Sequence, residues 1–220
     1  MTVVNSNKSV AAIVVTYRSE VWIKKCLESV LNQPEITSIW VVDNASDDGT
    51  TALIQQQFPQ VNLIENTDNL GFAAANNLAL QAMSEPYALL VNPDAYVESG
   101  CVKHLLNAFD AENHVGIAAP RIMRDGDIEA SLSGKPSALA SCLFLLSGMR
   151  NFETGGFSGK PVQGYPWHDG AQGEHVRGSC LMVSQAAIAD AGLFDERFFL
   201  YFEETEWCLR LRKHGWNIVL

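Results

Sequence analysis

The stretch VAAIVVTYRSEVWIKKCLESVL, residues 10–31, begins with an apolar, β-branched run from Val10 to Val15, the pattern of a strand buried on both faces. Ser19 stands where a helix cap is expected, and Val21, Ile23, Leu27, Val30 and Leu31 mark the apolar side of a helix behind it. Together they read as one βα unit. Outward from this unit the pattern recurs. Ile39 to Val42 repeats the apolar run, DNASDDGT (43–50) is a turn rich in Asp, Asn and Gly, and residues 51–58 read as a helix ended near Pro59. Residues 61–64 predict a third strand, 73–83 a helix, 87–91 a fourth strand, and 100–109 a helix with Val102, Leu105, Leu106 and Phe109 on one side. Strands alternating with helices at this spacing predict an α/β fold: a Rossmann-like, mostly parallel central sheet with helices on both faces.

Regularity fades over residues 125–175, where Gly, Ser and Pro are frequent and Phe152, Phe157, Tyr165 and Trp167 are interleaved. This segment predicts a long loop or insertion, and loops of that length inside a domain are usually functional or disordered. Order returns at 177–183, followed by a helix over 184–191 stopped by Gly192, and a last helix from Glu203 to Lys213 terminated by Gly215. The final apolar run, 216–220, suggests a cut within a longer natural protein.

With 220 residues, 47% of them hydrophobic, the chain fits one domain with a sizeable core. Its net charge of −10 opposes the phosphate attraction that drives DNA and RNA binding, so no nucleic-acid partner is expected. No signal pattern or bilayer-length apolar run is present, which points to the cytoplasm. Residues 139–146 read as a buried helix, with peripheral docking on the inner face of a membrane as the second reading. Five scattered cysteines, none at C-x-x-C spacing, predict reduced, mostly buried thiols.

In open α/β sheets ligands gather at the carboxyl ends of the strands. After strand one come Thr16 and Tyr17, with neither a G-x-G-x-x-G nor a P-loop pattern. After strand two come Asp43, Asn44, Asp47 and Asp48, and after strand four Asn92-Pro93-Asp94. For Asp43 alone, a turn and a ligand role are equally good readings. Polar residues after three strands on one edge, two of the groups being acidic and amide clusters, suit Mg²⁺ or Mn²⁺ shared with a diphosphate. In the last helix Glu204 lies three before Trp207, four before Cys208 and seven before Leu211, on the inward side, where desolvation would raise its pKa as a general base requires. Glu203 and Glu206 line up with Arg210 and read as helix-start charge and an i,i+4 pair. His175 reads as a surface or capped residue and Trp207 as core.

Five segments, VVTYRSE (14–20), VVDNASDDGT (41–50), NLGFAAANN (69–77), LLVNPDA (89–95) and GLFDERFFLYFEETEWCLRLRKHGW (192–216), resemble in content and order the family 2 glycosyltransferases, especially the branch that includes rhamnosyltransferases of cell-surface polysaccharide assembly. The resemblance implies a GT-A type fold. It also implies that Thr16, Tyr17 and Asp43 hold the nucleoside, that Asn69 and Gly71 line the nucleotide-sugar site, that Asn92 and Asp94 occupy the D-x-D metal motif, and that Glu204 is the catalytic base. Asn92 stands where that motif has its first acid, and Glu204 where the family usually has Asp. The implied activity is an inverting, single in-line displacement from a nucleoside-diphosphate sugar, rhamnose being the suggested sugar, onto a saccharide or lipid-linked saccharide acceptor.

Two other functions remain open to an acidic α/β chain. A sugar nucleotidyltransferase would carry a Gly-rich, basic loop after strand one, where TYRSE supplies one Arg and no Gly. A non-catalytic, receiver-like module would carry an acidic pair at the same place, where Thr16 and Tyr17 stand.

Overall fold

The computed structural model describes residues 8–112, 114–124, 126–129, 132–133 and 173–220. The elements follow in the order β1 (Val10–Thr16), α1 (Glu20–Leu31), β2 (Ile36–Asp43), α2 (Thr50–Gln57), β3 (Asn62–Glu65), α3 (Gly71–Ala82), β4 (Tyr87–Val91), α4 (Cys101–Ala111) and β5 (Val115–Ala118). The short strands β6 (Ile122–Arg124), β7 (Asp127–Glu129), β8 (Leu132–Ser133) and β9 (His175–Val176) come next, then β10 (Cys180–Ser184), α5 (Gln185–Ala191), α6 (Glu203–Lys213) and β11 (Asn217–Val219).

Seven strands form one sheet in the order β11-β5-β10-β4-β1-β2-β3. All its pairs are parallel except those of β10, which runs antiparallel to both β4 and β5. The α/β architecture with a mostly parallel sheet is as the sequence predicts. Two of its strands, β5 and β11, extend beyond the predicted set, and β11 is built from the terminal apolar run.

Alternation along β1 shows why both sheet faces need helices. Val10, Ala12 and Val14 pack with α1, α2 and α4 through Ile23, Leu27, Val30, Ile54 and Leu105. Ala11 and Ile13 face α3, α5 and α6 through Ala75, Ala79, Ile188, Trp207 and Leu211. With every residue from Val10 to Val14 fully buried, each large one contributes about 1.5–3 kcal/mol. Alanines 73, 75 and 79, all fully buried, let α3 lie close on the sheet.

Two local expectations are corrected. Ser19 occupies the cap position of α1, but its side chain caps nothing. Its hydroxyl instead donates to the Tyr17 carbonyl at 3.2 Å, and its own amide is held by Thr50 Oγ1 at 2.9 Å. The buried stripe of α1 is Ile23, Cys26, Leu27 and Val30, a 0, 3, 4, 7 spacing that leaves Val21 and Leu31 exposed. In contrast, Ser184 caps α5 by accepting from the Ala187 amide, and Gly192 ends that helix with a φ of +84°. The described cysteines, Cys26, Cys101, Cys180 and Cys208, are free thiols, and burial pushes Cys26 and Cys208 up to about 12. Cys142, residues 139–146, Tyr165 and Trp167 lie outside the described residues.

Candidate active site

Strands β1, β2 and β4 are parallel neighbours, so the chain leaves all three toward the same sheet edge. Thr16 pairs in register with Asp43, and the Asn44 amide donates to the Thr16 carbonyl at 2.8 Å. Thr16 is fully buried, and its hydroxyl has no hydrogen-bond partner among the described residues. A buried hydroxyl without a partner costs about 1–3 kcal/mol, so it is a group that a ligand could relieve. Tyr17 is exposed, with the Arg18 guanidinium 5.1 Å from its ring centre.

The acids after β2 are largely occupied by local structure. Asp43 is buried, one oxygen accepting from the Ser46 amide at 2.8 Å and the other from the Ser46 hydroxyl at 2.5 Å. That is the turn role of Asp43, with both oxygens used. Asp47 holds Arg18 through two bonds of 2.6 and 2.8 Å. Asp48 accepts from the amide and hydroxyl of Thr50 and from the Glu20 amide, tying the first turns of α1 and α2 together. Asp94 differs: it is exposed beyond β4 and makes no hydrogen bond or ion pair among the described residues.

Asn92 is half-buried. Its amide donates to the Ser179 carbonyl at 2.9 Å, and its carbonyl accepts from the Ala95 amide at 3.0 Å. Just before α3, exposed Asn69 accepts from the Gly71 amide at 2.9 Å. Gly71 is buried with a φ of +80°, and a Cβ there would lie 2.3 Å from the Phe199 carbonyl oxygen. Only glycine fits both that conformation and that approach. The structure therefore gives Gly71 a packing role beneath the segment that leads into α6.

Helix α6 begins after two left-handed residues, Tyr201 (φ 70°) and Phe202 (φ 73°). Strained backbone of this kind clusters at functional sites. Glu204 is half-buried, its side chain packing on Gly178, where a Cβ would sit 3.6 Å from its Cγ. Burial raises the Glu204 carboxyl above its ordinary range. Glu206 bonds Arg210 at 2.9 Å as predicted. Glu203 departs from the prediction. It is 4% exposed, with one oxygen unpartnered among the described residues. Burial first, and the neighbouring Glu204 charge second, push it up to about 7. Glu203 stands four residues before fully buried Trp207, and that spacing is the signal that could have placed it inward. Trp207 is core, its Nε1 donating to the Gly192 carbonyl at 2.8 Å. His175 is buried rather than on the surface, and burial holds its pKa below the ordinary value.

The strand-edge and helix-borne parts meet through residues 178–179. Glu204 lies against Gly178, and the next residue's carbonyl holds the Asn92 amide at the head of the turn carrying Asp94. A desolvated carboxyl and an open carboxylate thus flank one short connection.

The sequence model of glycosyl transferase family 2 matches residues 11–166. The chain belongs to glycosyl transferase family 2. Among its curated relatives, this family 2 chain is 28% identical over 211 residues to the low-salt glycan biosynthesis hexosyltransferase Agl10 of Haloferax volcanii, covering 94% of this chain and 62% of the relative. It is also 28% identical over 227 residues to the N-acetylglucosaminyl-diphospho-decaprenol L-rhamnosyltransferase of Mycobacterium tuberculosis, covering 93% and 70%. In solved structures the family 2 fold overlays S. aureus TarS in complex with UDP with a TM-score of 0.66 at 18% identity, covering 96% of this chain and 57% of that one. It overlays the mannosyltransferase PcManGT from Pyrobaculum calidifontis, in complex with GDP-Man and Mn²⁺, with a TM-score of 0.62 at 18% identity, covering 96% and 53%. These likenesses show the GT-A fold. The chain spans 62% of the Haloferax relative and little more than half of these two solved chains.

Proposed function

We propose that this family 2 chain carries the catalytic core of an inverting glycosyltransferase that moves a sugar from a nucleoside diphosphate to an acceptor hydroxyl in glycan assembly. The observation that carries the reading is Glu204: a half-buried carboxyl with a raised pKa, packed on Gly178 beside the connection that holds the Asn92-Pro93-Asp94 turn. Raised basicity is what general-base removal of a hydroxyl proton needs. In the proposed step the acceptor proton passes to Glu204. The acceptor oxygen forms its bond to the anomeric carbon as the bond to the diphosphate oxygen breaks, the electron pair leaves with the diphosphate, and configuration inverts. In this reading Thr16 and Tyr17 hold the nucleoside together with Asp43, whose oxygens each accept one bond from Ser46 and keep a second lone pair for the base, while Asn69 and Gly71 line the sugar site.

Asp94 fits a divalent cation such as Mg²⁺ or Mn²⁺ as a single open carboxylate. Among the described residues no three His, Cys, Asp or Glu side chains form a cage, so phosphate oxygens would complete the set. When bound, such a cation supplies positive charge to the departing diphosphate.

The names of the relatives extend the reading. The Mycobacterium relative is an L-rhamnosyltransferase named for a decaprenol-linked acceptor, which supports rhamnose as the sugar and a lipid-linked saccharide as the acceptor here. Such an acceptor would bring the protein to a membrane surface from the cytoplasmic side. No helix among the described residues is long and apolar enough to cross a membrane.

The test is turnover of dTDP-rhamnose, UDP-GlcNAc and GDP-mannose, with NMR of the anomeric proton of the product. One donor should be used with inversion, and Glu204→Gln should slow it roughly 10²–10⁴-fold. Retained configuration, or full activity in Glu204→Gln, would contradict the proposal.

A further inference from the structure

The segment NLGFAAANN begins at the proposed donor side with Asn69 and Gly71, but its last residue, Asn77, lies nearly two turns down α3 and is buried. Asn77 is 2% exposed, and its carboxamide is spent on one segment. Nδ2 donates to the Phe194 carbonyl at 3.0 Å and to Glu196 Oε1 at 2.9 Å, while Oδ1 accepts from the Phe194 amide at 3.1 Å. A primary amide has both donors and an acceptor in one plane, so it pairs with both backbone groups of Phe194 as a neighbouring strand would. Neither a carboxylate nor a hydroxyl can reproduce that set.

Phe194 in turn reaches α6. Its ring lies 4.1 Å, centre to centre, from Trp207 and 6.0 Å from Phe72 of α3. Trp207 is held from the other side by the Gly192 carbonyl and stands three residues after Glu204, one turn along the same helix. A second attachment closes the arrangement: the Phe72 amide donates to the Phe199 carbonyl at 2.8 Å, beside Gly71. The 192–202 segment, which delivers the chain to Glu204, is therefore fastened at Phe194 and at Phe199 to the helix that starts at the donor turn.

We propose that Asn77 is a positioning residue: through Phe194 and Trp207 it sets where Glu204 stands relative to the donor side of the site. The inference rests on the reading of Glu204 as the base. A side chain with this role affects the chemical step more than donor binding, because no hydrogen bond among the described residues links Thr16, Tyr17 or Asp43 to Asn77 or Phe194. A merely structural amide would lower both together.

The experiment compares Asn77→Asp, Asn77→Ser, Glu204→Gln and Ile54→Ala, the last a destabilised control at a buried residue in the core on the opposite sheet face. Turnover of the preferred donor, affinity for UDP, dTDP and GDP with Mn²⁺, thermal unfolding, and amide hydrogen exchange are measured for each. Asn77→Asp and Asn77→Ser should lower kcat at least tenfold while nucleotide affinity stays within threefold, with faster exchange over 194–204 but not over β1. Ile54→Ala should keep kcat at equal loss of Tm. The inference is overturned if kcat and nucleotide affinity fall in parallel with Tm in all three destabilised variants, or if the Asn77 variants keep kcat while Glu204→Gln is inactive. If Glu204→Gln itself turns over at the wild-type rate, the assignment of the base fails and takes this inference with it.

Discussion

Replacing Glu203 with Gln should stabilise the protein at pH 8 and change little at pH 5. The carboxyl is 4% exposed, one oxygen lacks a partner among the described residues, and its pKa stands at about 7 against an ordinary 4.5. Below pH 4.5 the group is protonated in both folded and unfolded chains and costs nothing extra. As pH rises toward 7 the unfolded chain ionises while the folded chain holds its proton, so the stability present at low pH is lost through that window. The difference corresponds to about 3 kcal/mol. Burying a neutral amide in the variant offsets part of it, leaving a gain of about 2 kcal/mol at pH 8. For a chain of this size that gain raises Tm by roughly 4–8 °C. Thermal and urea unfolding of both proteins between pH 5 and 8.5 measures it. A stability difference that does not grow with pH would refute the assignment of Glu203 as a buried, proton-holding carboxyl.

Three further outcomes follow from the same geometry. Gly71→Ala should cost roughly 2–4 kcal/mol in urea unfolding, from a left-handed backbone and a Cβ forced against the Phe199 carbonyl. Activity should fall on the acid side as the Glu204 base form is lost, with the limb above the ordinary glutamate value because burial raises this carboxyl, and the limb should vanish in Glu204→Gln. Trp207→Phe keeps an aromatic ring in the core but removes the 2.8 Å bond to Gly192, so it should cost about 1–2 kcal/mol, read as a lower urea midpoint at unchanged slope.

The fold was readable where periodicity is strong. Tyr87–Val91 and Glu203–Lys213 fall where the pattern puts them, because a doubly buried strand and an amphipathic helix leave unambiguous spacings. The strands β5 and β11 are harder to read: four and three residues long, they are too short for a period, and their pairing with each other spans the interval from 118 to 217. The antiparallel sense of β10 has no local signature either, since Cys180–Ser184 is buried throughout and an apolar run carries no direction.

At the site, the sequence placed Thr16, Asp43 and Asp94 at one sheet edge but could not say which acids are open. Asp43 and Asp48 are engaged by Ser46 and Thr50, bonds that depend on turn geometry rather than on residue type. Helical phase put Glu204 on the inward side, where it is half-buried, yet read Glu203 as helix-start charge in line with Arg210, although its spacing of four from buried Trp207 turns it further inward than Glu204. Asn77 was hidden for a related reason: its partners, Phe194 and Glu196, lie far along the chain and meet it only in the folded protein.

The proposed nucleoside-diphosphate site lies at the edge carrying Thr16, Asp43 and Asp94 and is completed by a cation. Calorimetric titration of UDP, dTDP and GDP into the protein, with and without Mn²⁺, tests it most directly, with Asp94→Ala alongside. One diphosphate should bind, Mn²⁺ should tighten it at least tenfold, and Asp94→Ala should abolish the gain. No binding by any of the three, or binding whose Mn²⁺ dependence survives in Asp94→Ala, would contradict the proposed site.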